Sequence, residues 1–206
     1  MGSSPPNEEA LIKRLRARDE EAFVWVVRTY QGKMLSLARA IVGEPFAEEI
    51  VQDTWLAVIR GLPHFEGRAR LETWILRILS NTAKTRLQRE RRRRHTHLVW
   101  EDNPPFSEGH RFHARGHWLS PPWPWHEETP EALLASEELQ RCLTKAVAAL
   151  PPAQRAVLIL RDREGMAMED ICNILEISAT NGRVLLYRAR AQLRAAIENY
   201  ERGKGC

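Results

Sequence analysis

Residues 46–94 read FAEEIVQDTWLAVIRGLPHFEGRARLETWILRILSNTAKTRLQRERRRR. The stretch holds two helices and a short loop. Pro45 suits the first turn of the first helix, where its missing N–H would have had no partner. Val51, Trp55, Val58 and Leu62 then recur at helical spacing and form an inner stripe. The opposite face carries Glu48, Glu49, Gln52, Asp53, Leu56 and Arg60. Such a face is either the ordinary solvated side of an amphipathic helix or, with a leucine exposed among acids and an amide, a docking face. The second helix is expected from near Ala69 to about Arg94. Leu71, Trp74, Ile75, Ile78, Leu79 and Ala83 supply its inner face, with Arg77, Asn81, Lys84 and Arg86 outside. From Lys84 to Arg94 there are seven basic residues and one acid, Glu90. Because this run continues a helix, it reads as an electrostatic footprint for phosphates rather than a solubilising end. The loop Leu62–Arg68 places His64, Phe65 and Arg68 beside the footprint. An aromatic and basic loop can hold an unstacked base, and stacking contributes ~1–3 kcal/mol per base.

The order AEEIVQDTWLAVIRGLPHFEG followed by LETWILRILSNTAK resembles region 2 of the extracytoplasmic-function (ECF) sigma factors of bacterial RNA polymerase. The resemblance implies that Glu49, Gln52, Asp53 and Leu56 face the clamp helices of the polymerase β′ subunit. It implies that the Phe65–Arg70 loop and the start of the next helix read the −10 promoter element, with Phe65 and Arg68 in the loop. Trp74, Arg77, Asn81 and Lys84 are then expected to line the adjacent DNA path. The partners it implies are core RNA polymerase (β′ clamp and β flap), promoter DNA and an anti-sigma factor.

The chain has 206 residues, enough for one or two small domains, and a formal net charge of +4 whose clustering at 84–94 points to a polyanion. Cys142, Cys172 and Cys206 are far apart and form no CxxC, which fits a reducing compartment and argues against a disulfide framework. Near the N-terminus Glu8 and Glu9 stand where a signal peptide would have an apolar segment. No apolar run approaches the roughly 20 residues that cross a bilayer. A cytoplasmic protein is expected.

Asn7 can cap a short helix through about Arg18. Asp19 can cap the next, with Glu20 and Glu21 at its positive end. Phe23, Val26, Val27, Tyr30, Met34, Leu37 and Ile41 keep a helical rhythm that marks core, and Gly43 ends the helix. Residues 7–94 thus form one all-α domain. Between 95 and 129 the rhythm is lost among prolines, four tryptophans (Trp100, Trp118, Trp123, Trp125) and six of the seven histidines. So long an irregular stretch marks a boundary. In the family this linker threads toward the polymerase active-centre cleft, and the resemblance implies the same route here. His110, His113 and His117 have i, i+3, i+7 spacing, but Gly109 and Gly116 flank them and no cysteine joins in, so neither a metal nor any other cofactor is expected.

Thr129-Pro130-Glu131 is a helix start, and that helix should run to about Ala149. Leu150-Pro151-Pro152 breaks it and begins another, Ala153–Arg163, closed by Gly165. A helix-turn-helix pattern follows: Met168–Leu175, a turn at Glu176-Ile177-Ser178, then a helix from a Ser178 cap to about Tyr200. Ala179, Gly182, Leu186, Ala189 and Leu193 should face inward. Thr180, Asn181, Arg183, Val184, Tyr187 and Arg188 then face outward near the end that a recognition helix presents to base edges. Any αα-hairpin shows similar spacing; the arginines at 183, 188, 190 and 194 favour DNA. ALPPAQRAVLILRDREGMAMEDICNILEIS resembles the start of region 4 of the sigma family, which reads the −35 element. After it the pattern departs: where most members carry a basic-Ser-Arg triplet, this chain has Arg183, Val184 and Leu185. Cys172, on the apolar face, reads as a core residue.

The expected architecture is all-α: two small helical domains, 7–94 and 130–200, joined by the 95–129 linker. A helix-turn-helix regulator acting without polymerase is the competing class. It would need a sensor pocket or dimer interface where this chain has an acidic face, an aromatic loop and an arginine helix. An enzyme is not expected: there is no Gly-rich phosphate loop or nucleophile elbow, and His64 and Ser80 stand alone.

Overall fold

A computed structural model describes residues 7–94 and 137–202. The described residues are helical: α1 (Glu8–Arg16), α2 (Glu20–Val42), α3 (Glu44–Gly61), α4 (Leu71–Arg94), α5 (Glu137–Ala149), α6 (Pro152–Leu158), α7 (Met168–Leu175) and α8 (Ala179–Glu201). They fall into two compact units, one of 7–94 with 152–190 and one of 137–151 with 191–202.

In the first unit the helix starts follow the capping chemistry expected. The Asn7 side chain accepts from the Glu9 amide at 3.1 Å and the Asp19 carboxylate from the Ala22 amide at 3.2 Å. Gly43, at φ +83, closes α2 in a conformation that side chains resist, and α3 begins at once. Met34, Leu37 and Ile41 of α2, Ile50 and Val51 of α3, and Leu71, Ile75, Leu76 and Leu79 of α4 are buried together. Each such side chain contributes roughly 1.5–3 kcal/mol on leaving water. Two sequence expectations shift here. Val27, though on the apolar rhythm of α2, is exposed, and α4 starts at Leu71 rather than Ala69.

Helix α6 packs on α2, and the Arg155 Nε donates to the Ala40 carbonyl at 2.6 Å. The helix expected over Ala153–Arg163 does not stay α: it passes at Ile159 into a π turn through Arg163, with the Glu164 amide donating to the Ile159 carbonyl at 3.0 Å. Gly165 at φ +67 ends it. The helix-turn-helix has the predicted limits. Glu176 takes the left-handed conformation (φ 54) at the end of α7, and Ser178 Oγ accepts from the Asn181 amide at 3.1 Å. Gly182 lets α7 and α8 approach: a Cβ there would sit 3.1 Å from Met168 Sδ and 3.2 Å from Cys172 Sγ. Inside α8 the buried stripe is Gly182, Leu185, Leu186 and Ala189, while Ala179, expected inside, is exposed.

In the second unit Leu139, Cys142 and Leu150 are buried. Cys142 is disulfide-bonded, against the expectation of reduced thiols throughout, whereas Cys172 is free. The helix start at Thr129-Pro130-Glu131, the 95–129 linker and its histidines lie outside the described residues. Among the described residues no helix is long and apolar enough to cross a membrane.

Candidate polymerase and nucleic-acid interfaces

Three surfaces of the first unit carry the residues singled out from sequence. The first is the outer face of α3. Glu48, Glu49, Gln52 and Asp53 are exposed there, and Leu56 is 52% exposed. Ile59, one turn on and 53% exposed, extends the face and was not anticipated, because its neighbours on the apolar rhythm are core. Two large apolar side chains left in water beside acids are a costly arrangement for a face that meets only solvent. The face is held in place from behind: the Arg86 guanidinium pairs with Glu49 at 3.2 Å and lies 4.7 Å over the Phe46 ring.

The second surface is the 62–70 loop with the first turns of α4. A 3-10 turn over Leu62–His64 brings the chain round. Phe65 does not stand free: it is buried, its ring 4.7 Å from the half-buried Trp74 ring at a tilt of 37°. Gly61 makes room for this, since a Cβ there would lie 3.1 Å from Trp74 Cζ2. The side chains the loop offers outward are His64, Glu66, Arg68 and Arg70, with Gly67 at φ +73 between them and Arg68 paired to Glu66 at 2.5 Å.

Further along α4, Arg77 and Asn81 are exposed and Lys84 is half-buried. Arg77 and Lys84 lie against the end of α7, and Thr73 of the same helix against its start. Arg77 is bonded to Glu176, Lys84 Nζ donates to the Leu175 carbonyl, and Thr73 Oγ1 donates to Asp170 Oδ1 at 3.1 Å. These contacts were not legible in the sequence; their partners are more than ninety residues apart. They leave electrostatic marks. Arg77 holds the Glu176 carboxyl below the usual carboxylate range, and burial lowers the Lys84 ammonium despite the nearby Glu176.

The third surface is the first half of α8. Thr180 and Arg183 are exposed, Val184 is 37% and Tyr187 45% exposed, and Asn181 and Arg188 are half-buried. Leu185, one of the two departures from the usual triplet, is buried. Arg190 is held away from this set by a two-point pair with Asp162 of the π turn, at 3.0 and 2.5 Å. Burial raises the Cys172 thiol above its ordinary value, against the pull of Arg183, which suits a packing role.

Residues 26–93 match the family Sigma-70 region 2, and residues 140–193 the family Sigma-70, region 4. The chain is 30% identical to the ECF RNA polymerase sigma-E factor of Escherichia coli K12 over 89% of its own length and 90% of the relative's. It is 29% identical to the sigma-E factor of Haemophilus influenzae over 93% and 95% of the two lengths. It is also 29% identical to the RNA polymerase sigma-H factor of Pseudomonas aeruginosa. In fold it is similar to CnrH in complex with the cytosolic domain of CnrY (TM-score 0.58, 19% identity, 93% and 97% of the two chains). It is similar too to the sigma factor RpoE in complex with the anti-sigma factor NepR from Bartonella quintana (TM-score 0.57, 20% identity, 85% and 96%). An acidic helix with exposed apolar residues, a basic helix beyond an aromatic loop, and a helix-turn-helix thus sit in a chain that belongs to the ECF sigma factors, the subunits that direct bacterial RNA polymerase to initiate transcription at promoters.

Proposed function

We propose that the three surfaces divide the work of initiation. The α3 face, with Glu49, Gln52, Asp53, Leu56 and Ile59, docks on the β′ clamp of core polymerase, and the region 4 helices reach the β flap. The 62–70 loop takes the −10 strand through its exposed Arg68 and neighbours. Phe65 and Trp74 form the stacked floor beneath it, with Trp74 the edge open to a base. Arg77, Asn81 and Lys84 continue the path of the strand. Thr180, Asn181, Arg183, Val184, Tyr187 and Arg188 read the −35 duplex. The chain works in the cytoplasm, where its template is, and catalyses nothing itself; the polymerase makes the bonds.

The observation that carries this reading is the exposed Leu56 and Ile59 beside Glu49 and Asp53 on α3. A desolvated apolar centre with charges at its edge is what a protein partner of opposite charge recognises. Arg77 and Lys84, by contrast, are engaged by α7, so DNA must displace Glu176 and the Leu175 carbonyl to reach them. The two structural neighbours are held by CnrY and by NepR, and a small anti-sigma protein is the regulatory partner proposed here.

The test is Asp53→Arg in a pull-down with core polymerase. Association should fall by about tenfold or more, as for reversal of a charge at a desolvated contact, with the thermal midpoint unchanged. Unchanged association would remove α3 as the docking face.

A further inference from the structure

Helix α1 grips both ends of the 66–70 segment of the loop. The Leu71 amide, first in α4 and without a partner in its own helix, donates to Glu8 Oε1 at 3.0 Å. At the other end the Arg16 guanidinium donates to the Phe65 carbonyl. Glu8 and Arg16 are the first and last residues of α1, and Leu11 and Leu15 between them are buried, so the helix is a fixed rod rather than a frayed end. The segment between the two anchors, 66–70, is exposed along its length and turns at Gly67. Its shape is therefore set from outside: a rod nine residues long fixes how far apart Phe65 and Leu71 stand.

We propose that Glu8 and Arg16 are positioning residues for −10 recognition, fixing the curvature of the 66–70 segment so that its side chains meet one register of bases. The proposal rests on the reading of that loop as the −10 reader. Glu8 acts in a second way. A carboxylate at the positive end of α4 offsets the charge that would otherwise draw in any phosphate. Without it the same end of the helix attracts DNA with less regard to sequence. Neither residue touches DNA: Arg16 works through the backbone of the loop, and Glu8 through that backbone and through its charge.

The experiment uses holoenzyme assembled from the full chain and core polymerase, transcribing a promoter library randomised at both the −10 and −35 elements. The base preference at each element is read by sequencing the transcripts. Glu8→Ala and Arg16→Ala should flatten the −10 preference from the ~tenfold that one good base contact supplies toward ~twofold, leaving the −35 preference intact. Arg16→Lys keeps a donor and should restore the profile; Glu8→Gln keeps the acceptor but loses the charge, so it should restore the profile only in part. Equal loss at both elements with a lowered thermal midpoint would make α1 merely structural and overturn the proposal. Arg68→Ala separates the two layers. If it alters the −10 profile while Glu8→Ala and Arg16→Ala do not, the positioning role fails and the loop reading survives. If no loop variant alters the profile, both fall.

Discussion

The Arg77 guanidinium of α4 donates twice to one carboxylate oxygen of Glu176, from Nε at 2.9 Å and from Nη2 at 2.6 Å. The acceptor sits in the turn of the helix-turn-helix, and the donor lies on the proposed path of the −10 strand. A side chain assigned to promoter DNA is thus already neutralised by the chain's own region 4.

Glu176→Gln should free Arg77 at little expense in stability. Both side chains are partly exposed, at 55% and 40%, so the pair contributes no more than about 1 kcal/mol to folding. Binding of a fluorescent single-stranded oligonucleotide at low salt should tighten by roughly two- to fivefold, the equivalent of that same small energy. Fluorescence anisotropy reads it. Equal affinity in the two proteins would mean that Arg77 does not meet the strand.

The same pair sets a pH dependence. Arg77 keeps the folded Glu176 carboxyl below its ordinary value of 4.5, chiefly through the hydrogen bond it donates. A depressed carboxylate stabilises the fold above its unfolded value, and that contribution disappears as pH falls through the folded one. The contact of α4 with α7 should therefore hold at neutral pH and loosen only in acid, below 4.5. Amide exchange at Ile177 on lowering pH should show the loosening in the native chain. In Glu176→Gln the step should vanish.

Arg183→Ala tests the third surface. Arg183 is the surviving member of the basic-Ser-Arg triplet and is exposed on the outer face of α8. If it meets a base, loss should cost about 1–3 kcal/mol and relax preference at one −35 position. If it meets a phosphate, binding should weaken on all sequences and the salt slope should fall by about one. Run-off transcription and a salt titration distinguish the outcomes, and an unchanged value in both would move −35 recognition to other residues.

Ser80→Ala should stabilise the protein. Ser80 is fully buried in α4, and its hydroxyl oxygen has no hydrogen-bond partner among the described residues. A buried polar group left unmatched costs about 1–3 kcal/mol, and alanine removes it with almost no change of shape. Thermal unfolding should show a gain of about 1 kcal/mol. A loss would mean that the hydroxyl bonds to water in solution.

Much of the local structure was legible because it is written in short-range chemistry. Asn7, Asp19, Gly43, Gly165 and Ser178 each mark a helix end for a reason confined to a few neighbouring residues, and the helix-turn-helix falls at its predicted limits. Most of the departures are tertiary. Phe65 in a basic loop looks like an exposed stacking surface until Trp74, nine residues on, covers it. Leu185 reads as a replaced DNA contact under a one-residue-per-turn stripe, yet α8 buries both Leu185 and Leu186 because its inner face is broad. The π turn at Ile159–Arg163 has no signature in composition, since the same residues would serve an α-helix equally well. The grip of α1 on the 62–70 loop joins residues 49 and 63 apart in the chain, beyond any periodicity.

Lys84 caps a helix that is not its own. The Leu175 carbonyl is one of the last in α7, where the helix can offer it no amide, and the half-buried ammonium of α4 fills that vacancy. An ammonium that leaves for a phosphate strips the carboxyl-terminal end of the first helix in the helix-turn-helix. On the proposed reading of Lys84, occupancy of the −10 path and order of the helix-turn-helix would be linked through a single proton-bearing nitrogen, with the same strength in both directions.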